Sequence, residues 1–292
     1  MVDEPSISIA ESRPQIEPPR LQPGKRLAEF PWWFLAMILI AIWTAYTIYT
    51  RDNYREAFEF ILIGLRVTIV TSLVAYGIAL VLGLLTGLGR ISRNVVLNNL
   101  ATLYVELVRG IPMLVLIFFI ALVGVPIVVD GMNGLGNWLN GLGLTLVGDI
   151  LANVKNQAIA MNVRAVVALS VTYGAFLAEI FRAGIQSITQ GQMEAARSLG
   201  MSYGQAMRYV ILPQAIRNVL PALGNDFVAM VKDSSLVSLL AVRDISQVAR
   251  LYAGRSFRFR EAYITLSVLY LTMTVALSLM VQFVERRLRR HV

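Results

Sequence analysis

Four ionisable side chains lie deep within apolar stretches of the 292-residue chain, namely Glu179, Asp226, Lys232 and Asp233. A charge near the centre of a bilayer-spanning helix costs about 2.5–3.5 kcal/mol on insertion scales, so such groups usually face a partner helix or an aqueous cavity. Glu179 lies three residues before Arg182, a spacing that allows the two side chains to pair on one helix face. The pattern therefore predicts either ion pairing or a polar path within a membrane.

The segment that follows residue 224 carries two polar stripes, because residues seven apart in a helix lie on nearly the same face. Its polar residues are Asn225, Asp226, Lys232, Asp233, Ser234 and Ser235. These side chains either line a translocation path or form interhelical hydrogen bonds that hold a dimer together. The four ionisable groups carry a net formal charge of −2, which favours a cationic or zwitterionic solute over an acidic one.

Covalent chemistry is not expected from this chain. It has no cysteine, its single histidine is His291 near the end, and few acidic groups lie in the apolar stretches. A phosphate-binding loop requires GxxxxGK followed by Ser or Thr, and none of the three lysines stands in that pattern. We predict that the chain is not an enzyme by itself, binds no cofactor or metal, and cannot hydrolyse ATP through such a loop. An integral membrane enzyme would lack an evident catalytic set.

The composition places these residues in a membrane protein, because 57% of the chain is hydrophobic and only 15% is charged. Nucleic acid is not expected as a partner despite the net charge of +8, because the arginines are scattered between apolar runs. Six runs are long enough to cross a bilayer as helices: residues 32–50, 62–88, 111–129, 164–184, 219–241 and 262–284. The fold class is therefore predicted to be all-α and polytopic, with about six transmembrane helices.

The connections between the runs differ in character. Residues 1–31 hold six of the ten prolines and are predicted to be a disordered cytoplasmic tail. Residues 95–110 are apolar at helical spacing and predict a helix at the membrane surface that leads to Pro112, an early position of the third span. Residues 130–162 are rich in Gly and Asn and predict a loop.

The distribution of Lys and Arg predicts the orientation. With both termini in the cytoplasm, fifteen basic residues lie on the inner side and ten on the outer side, which agrees with the positive-inside rule. Arg66, Arg164 and Arg182 lie near span ends and are expected to extend to the interface. The outer segment 243–260 holds five arginines, which either form a docking surface for an external partner or are charges tolerated in a translocated loop.

The segment between the fourth and fifth spans, residues 191–223, predicts a helix-turn-helix. Gln192–Leu199 consists mostly of strong helix formers, and Gly200 follows at the left-handed C-cap position. Ser202 and Gln205 have the spacing of a capping box that starts a second short helix.

Two prolines then mark boundaries: Pro213 is expected to end or kink the second helix, and Pro221 to lie in the first turn of the fifth span. The apolar side chains that would otherwise largely face water are Met193, Leu199, Met201, Tyr203 and Met207. The projection therefore needs a protein surface to pack against.

This segment resembles the EAA loop of ABC transporter permeases, in which EAA is followed by three residues, Gly, nine residues, Ile, any residue and Leu-Pro. The matching residues are Glu194, Ala195, Ala196, Gly200, Val210, Leu212 and Pro213, with Val in place of Ile. The substitution removes one methylene at an apolar contact. The resemblance implies that residues 190–213 form the coupling helix that fits into a groove of a cytoplasmic ATPase subunit.

Three further stretches resemble polar amino acid permeases of the histidine, glutamine and arginine type: YVELVRGIPMLVLIFF, TYGAFLAEIFRAGIQSITQGQMEAA and NDFVAMVKDSSLVSLLAV. Together the resemblance covers residues 58–288. It implies that residues 58–292 form the transmembrane domain of a type I ABC importer, and that residues 32–57 add an extra N-terminal transmembrane helix and outer loop.

The resemblance also implies the assembly: two ATP-binding subunits that hold ATP and Mg, a second permease subunit, either identical or related, and an extracytoplasmic amino-acid-binding protein. It implies a multi-pass protein of the bacterial inner membrane, embedded in the lipid bilayer. An alternative keeps the ABC class and changes the solute to methionine, a peptide or an organic ion. An ion-driven secondary transporter would be expected to show paired halves with interrupted helices and would have no use for an EAA loop.

Overall fold

The computed structural model describes residues 32–188 and 190–289, and within these ranges the secondary structure is helical without β-strands. The α-helices are α1 (Trp32–Thr50), α2 (Asp52–Leu62), α3 (Leu65–Ile91), α4 (Val95–Gly110), α5 (Met113–Phe119), α6 (Val125–Gly141), α7 (Thr145–Ala152), α8 (Met161–Gln186), α9 (Gln190–Ser198), α10 (Tyr203–Ala206), α11 (Leu212–Asp233), α12 (Ile245–Ser256) and α13 (Phe259–Arg289). The shorter elements are π turns at Ile120–Gly124 and Met207–Ile211 and 3₁₀ helices at Asn156–Ala158 and Ser234–Leu240.

The chain divides into two compact units, residues 1–43 and 44–292. Of the first unit the structure describes only residues 32–43, which form the N-terminal part of α1. The predicted disordered tail, residues 1–31, lies outside the described residues.

Each of the six predicted spans coincides with a helix. Within the described residues, four helical segments are long and apolar enough to cross a membrane: Asp52–Ile91, Met113–Gly141, Met161–Gln186 and Phe259–Arg287. The other two predicted spans correspond to α1, whose apolar part Leu35–Thr50 is shorter, and to α11, which carries the polar residues. The all-α, multi-pass fold class is thus confirmed.

The fifth span differs from its predicted course. Pro213 does not end a helix, because the backbone is helical from Tyr203 through the π turn into α11. The wide π turn precedes Pro213, which has no N–H to donate to that turn. Pro221 lies inside α11 rather than in its first turn. The end of the span, Ser234–Leu240, is a 3₁₀ helix, and at its start the Ser234 hydroxyl donates to the Val231 carbonyl.

The core of the second unit lies between α3 and α8. Buried alanines from both helices, including Ala75, Ala79 and Ala168, share a cluster with Ile117 and Met230. The Ser170 hydroxyl donates to the Ala75 carbonyl across this contact at 3.1 Å. Small residues let the two backbones approach closely, as is typical of helix pairs in membranes.

The segment 130–162 is a helical hairpin, so its prediction as a loop was wrong. Helix α6 continues the third span to Gly141, Gly143 turns the chain at φ +82°, and α7 returns alongside α6. A Cβ atom on Gly136 would lie 2.6 Å from the Gly148 carbonyl oxygen. These two glycines therefore serve close packing of two helices, and only Gly143 supplies the turn that the composition indicated.

The hairpin provides a matched pair of substitutions. Gly136→Leu is expected to lower the free energy of unfolding of the purified protein by about 1–3 kcal/mol, and with it the melting temperature. The added side chain overpacks the α6–α7 contact. Gly134→Leu, two residues earlier on the same helix, meets open space and is expected to change stability by less than about 0.5 kcal/mol. Equal melting temperatures for the two variants would contradict the hairpin.

Arg164 does not extend to the interface as predicted, because it is only 7% exposed. Its guanidinium donates to the carbonyl oxygens of Ala121 (3.0 Å), Asn156 (2.6 Å) and Ile159 (3.2 Å), and to Asn156 Oδ1 (2.7 Å). Ala121 belongs to the π turn within the third span. Arg164 therefore joins the first turn of α8 to the third span and to the end of the hairpin segment.

The arginine-rich segment 243–260 contains α12, which packs with α2 and α13. Asp244 is fully buried and caps α12 by accepting from the Gln247 backbone N–H at 2.8 Å. Burial raises the pKa of Asp244, and the hydrogen bonds that its carboxylate accepts oppose the rise. Arg258 pairs with Glu56 at 2.5 Å, and Arg255 lies over the Phe60 ring. Several of these arginines thus have partners within the chain.

Candidate functional site

The turn between α9 and α10 is a Schellman motif. The Gly200 N–H donates to the Arg197 carbonyl at 3.0 Å, and the Met201 N–H donates to the Ala196 carbonyl at 3.2 Å. Gly200 has φ +84°, a left-handed conformation that favours glycine. The predicted left-handed cap at Gly200 is confirmed.

The second helix starts with the predicted capping box, which is also confirmed. The Gln205 N–H donates to the Ser202 hydroxyl at 3.3 Å, and the Ser202 N–H donates to Gln205 Oε1 at 2.9 Å. Only Met201 separates this box from Gly200. The angle between α9 and α10 is therefore fixed by two adjacent local motifs.

Small side chains form the contact between the two arms of the helix-turn-helix. Ala196 and Ala206 are buried, and so is Ile211 in the π turn before α11. By contrast, Glu194 and Ala195 are exposed on α9. The remaining predicted coupling residues, Val210, Leu212 and Pro213, lie at the junction of the π turn with α11, and Leu212 among them is exposed.

The helix-turn-helix carries an exposed apolar surface. Leu199 is 82% exposed, Tyr203 61% and Tyr209 65%. Met193, Met201 and Met207 are partly buried, so the prediction that they would largely face water was wrong for these three. Exposed apolar surface is typical of protein interaction sites, and these three side chains come from one short stretch of the chain.

A second polar group, here called the aspartate–tyrosine cluster, consists of Asp226, Asp233, Tyr76 and Tyr173. The Tyr173 hydroxyl donates to Asp233 Oδ2 at 2.7 Å, and the Tyr76 hydroxyl donates to the Leu223 carbonyl at 2.5 Å. Asp226 lies within electrostatic range of Asp233 and of both tyrosines. The cluster brings together one polar stripe of α11 with α3 and α8.

The other stripe of α11 is separate from this cluster. Asn225 and Lys232 are exposed, whereas Asp226 and Asp233 are partly buried. Ser234 is buried and bonded to the backbone, and Ser235 is partly buried.

Sequence reasoning missed Tyr76 and Tyr173. An aromatic hydroxyl inside an apolar helix needs a hydrogen-bond partner when buried, and that requirement is the signal that could have indicated both residues.

Glu179 belongs to a different group of charges. It pairs with Arg182, as predicted, and also with Arg90 at 2.5 Å, while Arg90 lies 3.5 Å from Glu106. Glu179 lies six residues beyond Tyr173 on α8, about 9 Å farther along the helix axis, and is therefore separate from the aspartate–tyrosine cluster. No local pattern indicated Arg90, which is 89 positions from Glu179.

Within residues 32–188 and 190–289, no three His, Cys, Asp or Glu side chains are grouped so that they could hold a metal ion. The long apolar helices define a multi-pass membrane protein, and the helix-turn-helix exposes large apolar side chains. A family model described as "Binding-protein-dependent transport system inner membrane component" matches residues 79–290. The chain belongs to this family of ABC transporter permeases.

Curated relatives extend the match. The chain is 38% identical to the probable glutamine ABC transporter permease protein GlnM of Bacillus subtilis (strain 168), over 80% of this chain and 96% of that protein. It is 30% identical to the glutamine transport system permease protein GlnP of Escherichia coli (strain K12), over 77% of this chain and 91% of that protein. The resemblance to ABC permeases is therefore confirmed.

Solved structures agree on the fold. A crystal structure of an amino acid ABC transporter with histidines contains a chain that is 35% identical, with a TM-score of 0.63 over 78% of this chain and 94% of that one. The inward-facing MetNI methionine ABC transporter is 20% identical, with a TM-score of 0.56 over 79% and 96% of the two chains, and this likeness concerns the fold alone. The chain has the type I ABC transporter permease fold.

Proposed function

We propose that the chain is the membrane-spanning permease subunit of an ATP-driven importer for polar amino acids. The names of the relatives, glutamine permeases and an amino acid transporter, support this class of solute over methionine, peptides or organic ions. Residues 58–292 would form the transport domain, and residues 32–57 an additional N-terminal segment of the multi-pass protein in the inner membrane. Both termini would lie in the cytoplasm.

The observation that carries the proposal is the continuous helical backbone from Tyr203 to Asp233. At 1.5 Å per residue it is roughly 46 Å long, and it joins the exposed apolar surface to the aspartate–tyrosine cluster. Movement imposed on α10 would therefore reach Asp226 and Asp233 without crossing a loop, and the Schellman turn joins α9 to α10. Glu194, Ala195, Ala196, Gly200, Val210, Leu212 and Pro213 would form the ATPase-coupling loop.

In this mechanism the energy comes from partner subunits. Two ATP-binding subunits, with ATP and Mg, would close when ATP binds, and one of them would dock on the α9–α10 surface of this chain. Their closure would switch a cavity between this chain and a second permease subunit from inward-facing to outward-facing. An extracytoplasmic binding protein would then deliver the amino acid. The chain itself would bind no cofactor and hydrolyse no ATP.

The proposed substrate path includes the polar residues of α11 and its 3₁₀ extension, together with Glu179. The residues are Glu179, Asn225, Asp226, Lys232, Asp233, Ser234 and Ser235. Because Glu179 is paired with two arginines, the negative character of the path rests on Asp226 and Asp233, which exceed Lys232 by one formal charge. A path of this charge would favour cationic or zwitterionic amino acids over acidic ones.

Co-purification and transport test the proposal. The tagged chain is expected to retain an ATP-binding subunit, and deletion of residues 192–212 is expected to abolish that retention. The transport rate is measured in proteoliposomes with a neutral or cationic amino acid. Asp233→Asn is expected to lower this rate about tenfold, because it weakens the charge-assisted hydrogen bond that the Tyr173 hydroxyl donates to Asp233. Asp52→Asn, the same change at an exposed aspartate outside the proposed path, serves as the control. If acidic amino acids alone stimulated ATP hydrolysis by the complex, the charge argument would be wrong.

A further inference from the structure

A groove of about 630 Å³ lies between α3 and α8. Between its ends the walls are apolar apart from Thr71, and the apolar lining residues are Val67, Val70, Val74 and Ile78 from α3 and Val163, Val166 and Val167 from α8. Both helices belong to segments long and apolar enough to cross a membrane, so these walls lie at the depth of the hydrocarbon.

One end of the groove is polar. Arg66 and Asn162 are both exposed there, and each is the second residue of its helix. The contacts between the two helices advance together along both, with Ser170 against Ala75 and Leu177 against Gly83, so α3 and α8 run parallel and begin at the same end.

The polar end has an unbalanced positive charge. Neither α3 nor α8 has an acidic residue in its first turn, and buried Arg164 adds a second cation to the first turn of α8. The Arg66 side chain makes no hydrogen bond or ion pair with any part of the chain that the structure describes. An arginine fork matches a phosphate through two parallel hydrogen bonds.

We propose that this groove binds an anionic phospholipid, with an acyl chain along the valines and the phosphate held by Arg66 and Asn162. The apolar walls and the unpaired cation match the two ends of such a molecule. A second copy of the chain fits less well, because a symmetric contact centred on the groove would bring two Arg66 side chains together. The site is independent of ATP-driven transport, so its test does not depend on the proposed function.

Native mass spectrometry of the purified complex, incubated with phosphatidylglycerol or with phosphatidylcholine, tests the site. Wild-type protein is expected to retain phosphatidylglycerol preferentially. Arg66→Gln is expected to reduce that retention at least about tenfold, because it removes the charge-assisted hydrogen bonds to the phosphate. Arg66→Lys should lose less, and Arg243→Gln, at an exposed outer arginine, should lose nothing.

Three results would overturn the proposal. The first is equal retention of the two lipids by the wild-type protein, which would show nonspecific filling of the groove. The second is unchanged phosphatidylglycerol retention by Arg66→Gln. The third is efficient disulfide cross-linking between two copies of a Val70→Cys variant, which would place a second copy in the groove. The cross-link is readily interpreted because the chain has no native cysteine.

Discussion

Replacing Gly200 with valine is expected to lower transport about tenfold at normal protein levels, while ATP hydrolysis by the assembled complex continues. Gly200 has φ +84°, and an L-residue in this conformation costs about 1–2 kcal/mol, more when it is β-branched. A Cβ atom at this position meets no other atom within 4 Å, so the penalty comes from the backbone alone. Relief of this strain would change the angle between α9 and α10. The measurement is transported solute per ATP hydrolysed in proteoliposomes.

Gly200→Asn provides the matched control, because asparagine adopts the left-handed conformation more readily than other non-glycine residues. We expect this variant to retain most of the transport per ATP. Wild-type coupling in the valine variant, at equal protein levels, would show that the Schellman turn does not set the coupling geometry.

Replacing Arg164 with leucine is expected to lower the free energy of unfolding by at least about 3 kcal/mol, because three carbonyl groups lose their hydrogen-bond donor in a buried site. We expect the melting temperature of the detergent-purified protein to fall by roughly 10 °C. The third span and the first turn of α8 would lose their shared hydrogen-bonding partner. Melting followed by intrinsic fluorescence provides the measurement.

Two other variants separate bonding from charge. Arg164→Lys retains the charge but cannot reach all of the carbonyl acceptors, so an intermediate fall in melting temperature is expected. Arg66→Leu removes an exposed arginine that makes no bond within the described chain, and in detergent it should leave the melting temperature nearly unchanged. The interpretation fails if both leucine variants melt alike.

Local signals predicted the candidate coupling loop well. The left-handed glycine and the capping box each lie within a few residues of sequence, and the structure has both. Hydrophobic runs likewise predicted the positions of the helices. These features depend on residues that are close together along the chain, so a single sequence contains the information that predicts them.

The errors arose where the role of a residue depends on distant partners. Glycines in segment 130–162 indicated a loop, yet Gly136 and Gly148 allow two helices to pack, and composition does not distinguish these roles. Arg164 looked like an interfacial arginine because its carbonyl partners belong to other elements. The link from Arg90 to Glu179 joins separate helices and has no spacing signature.

The π turn at Met207–Ile211 has a mechanical consequence for the helix beyond it. A π turn holds one residue more than an α-helical register requires. If the turn relaxed to α-helical geometry, the helix beyond it would rotate by about 100° about its axis and shift by about 1.5 Å along that axis. Asp226 and Asp233 would then point in a different direction around the helix axis. A small change in helical winding near the loop would thus reorient both carboxylates of the aspartate–tyrosine cluster.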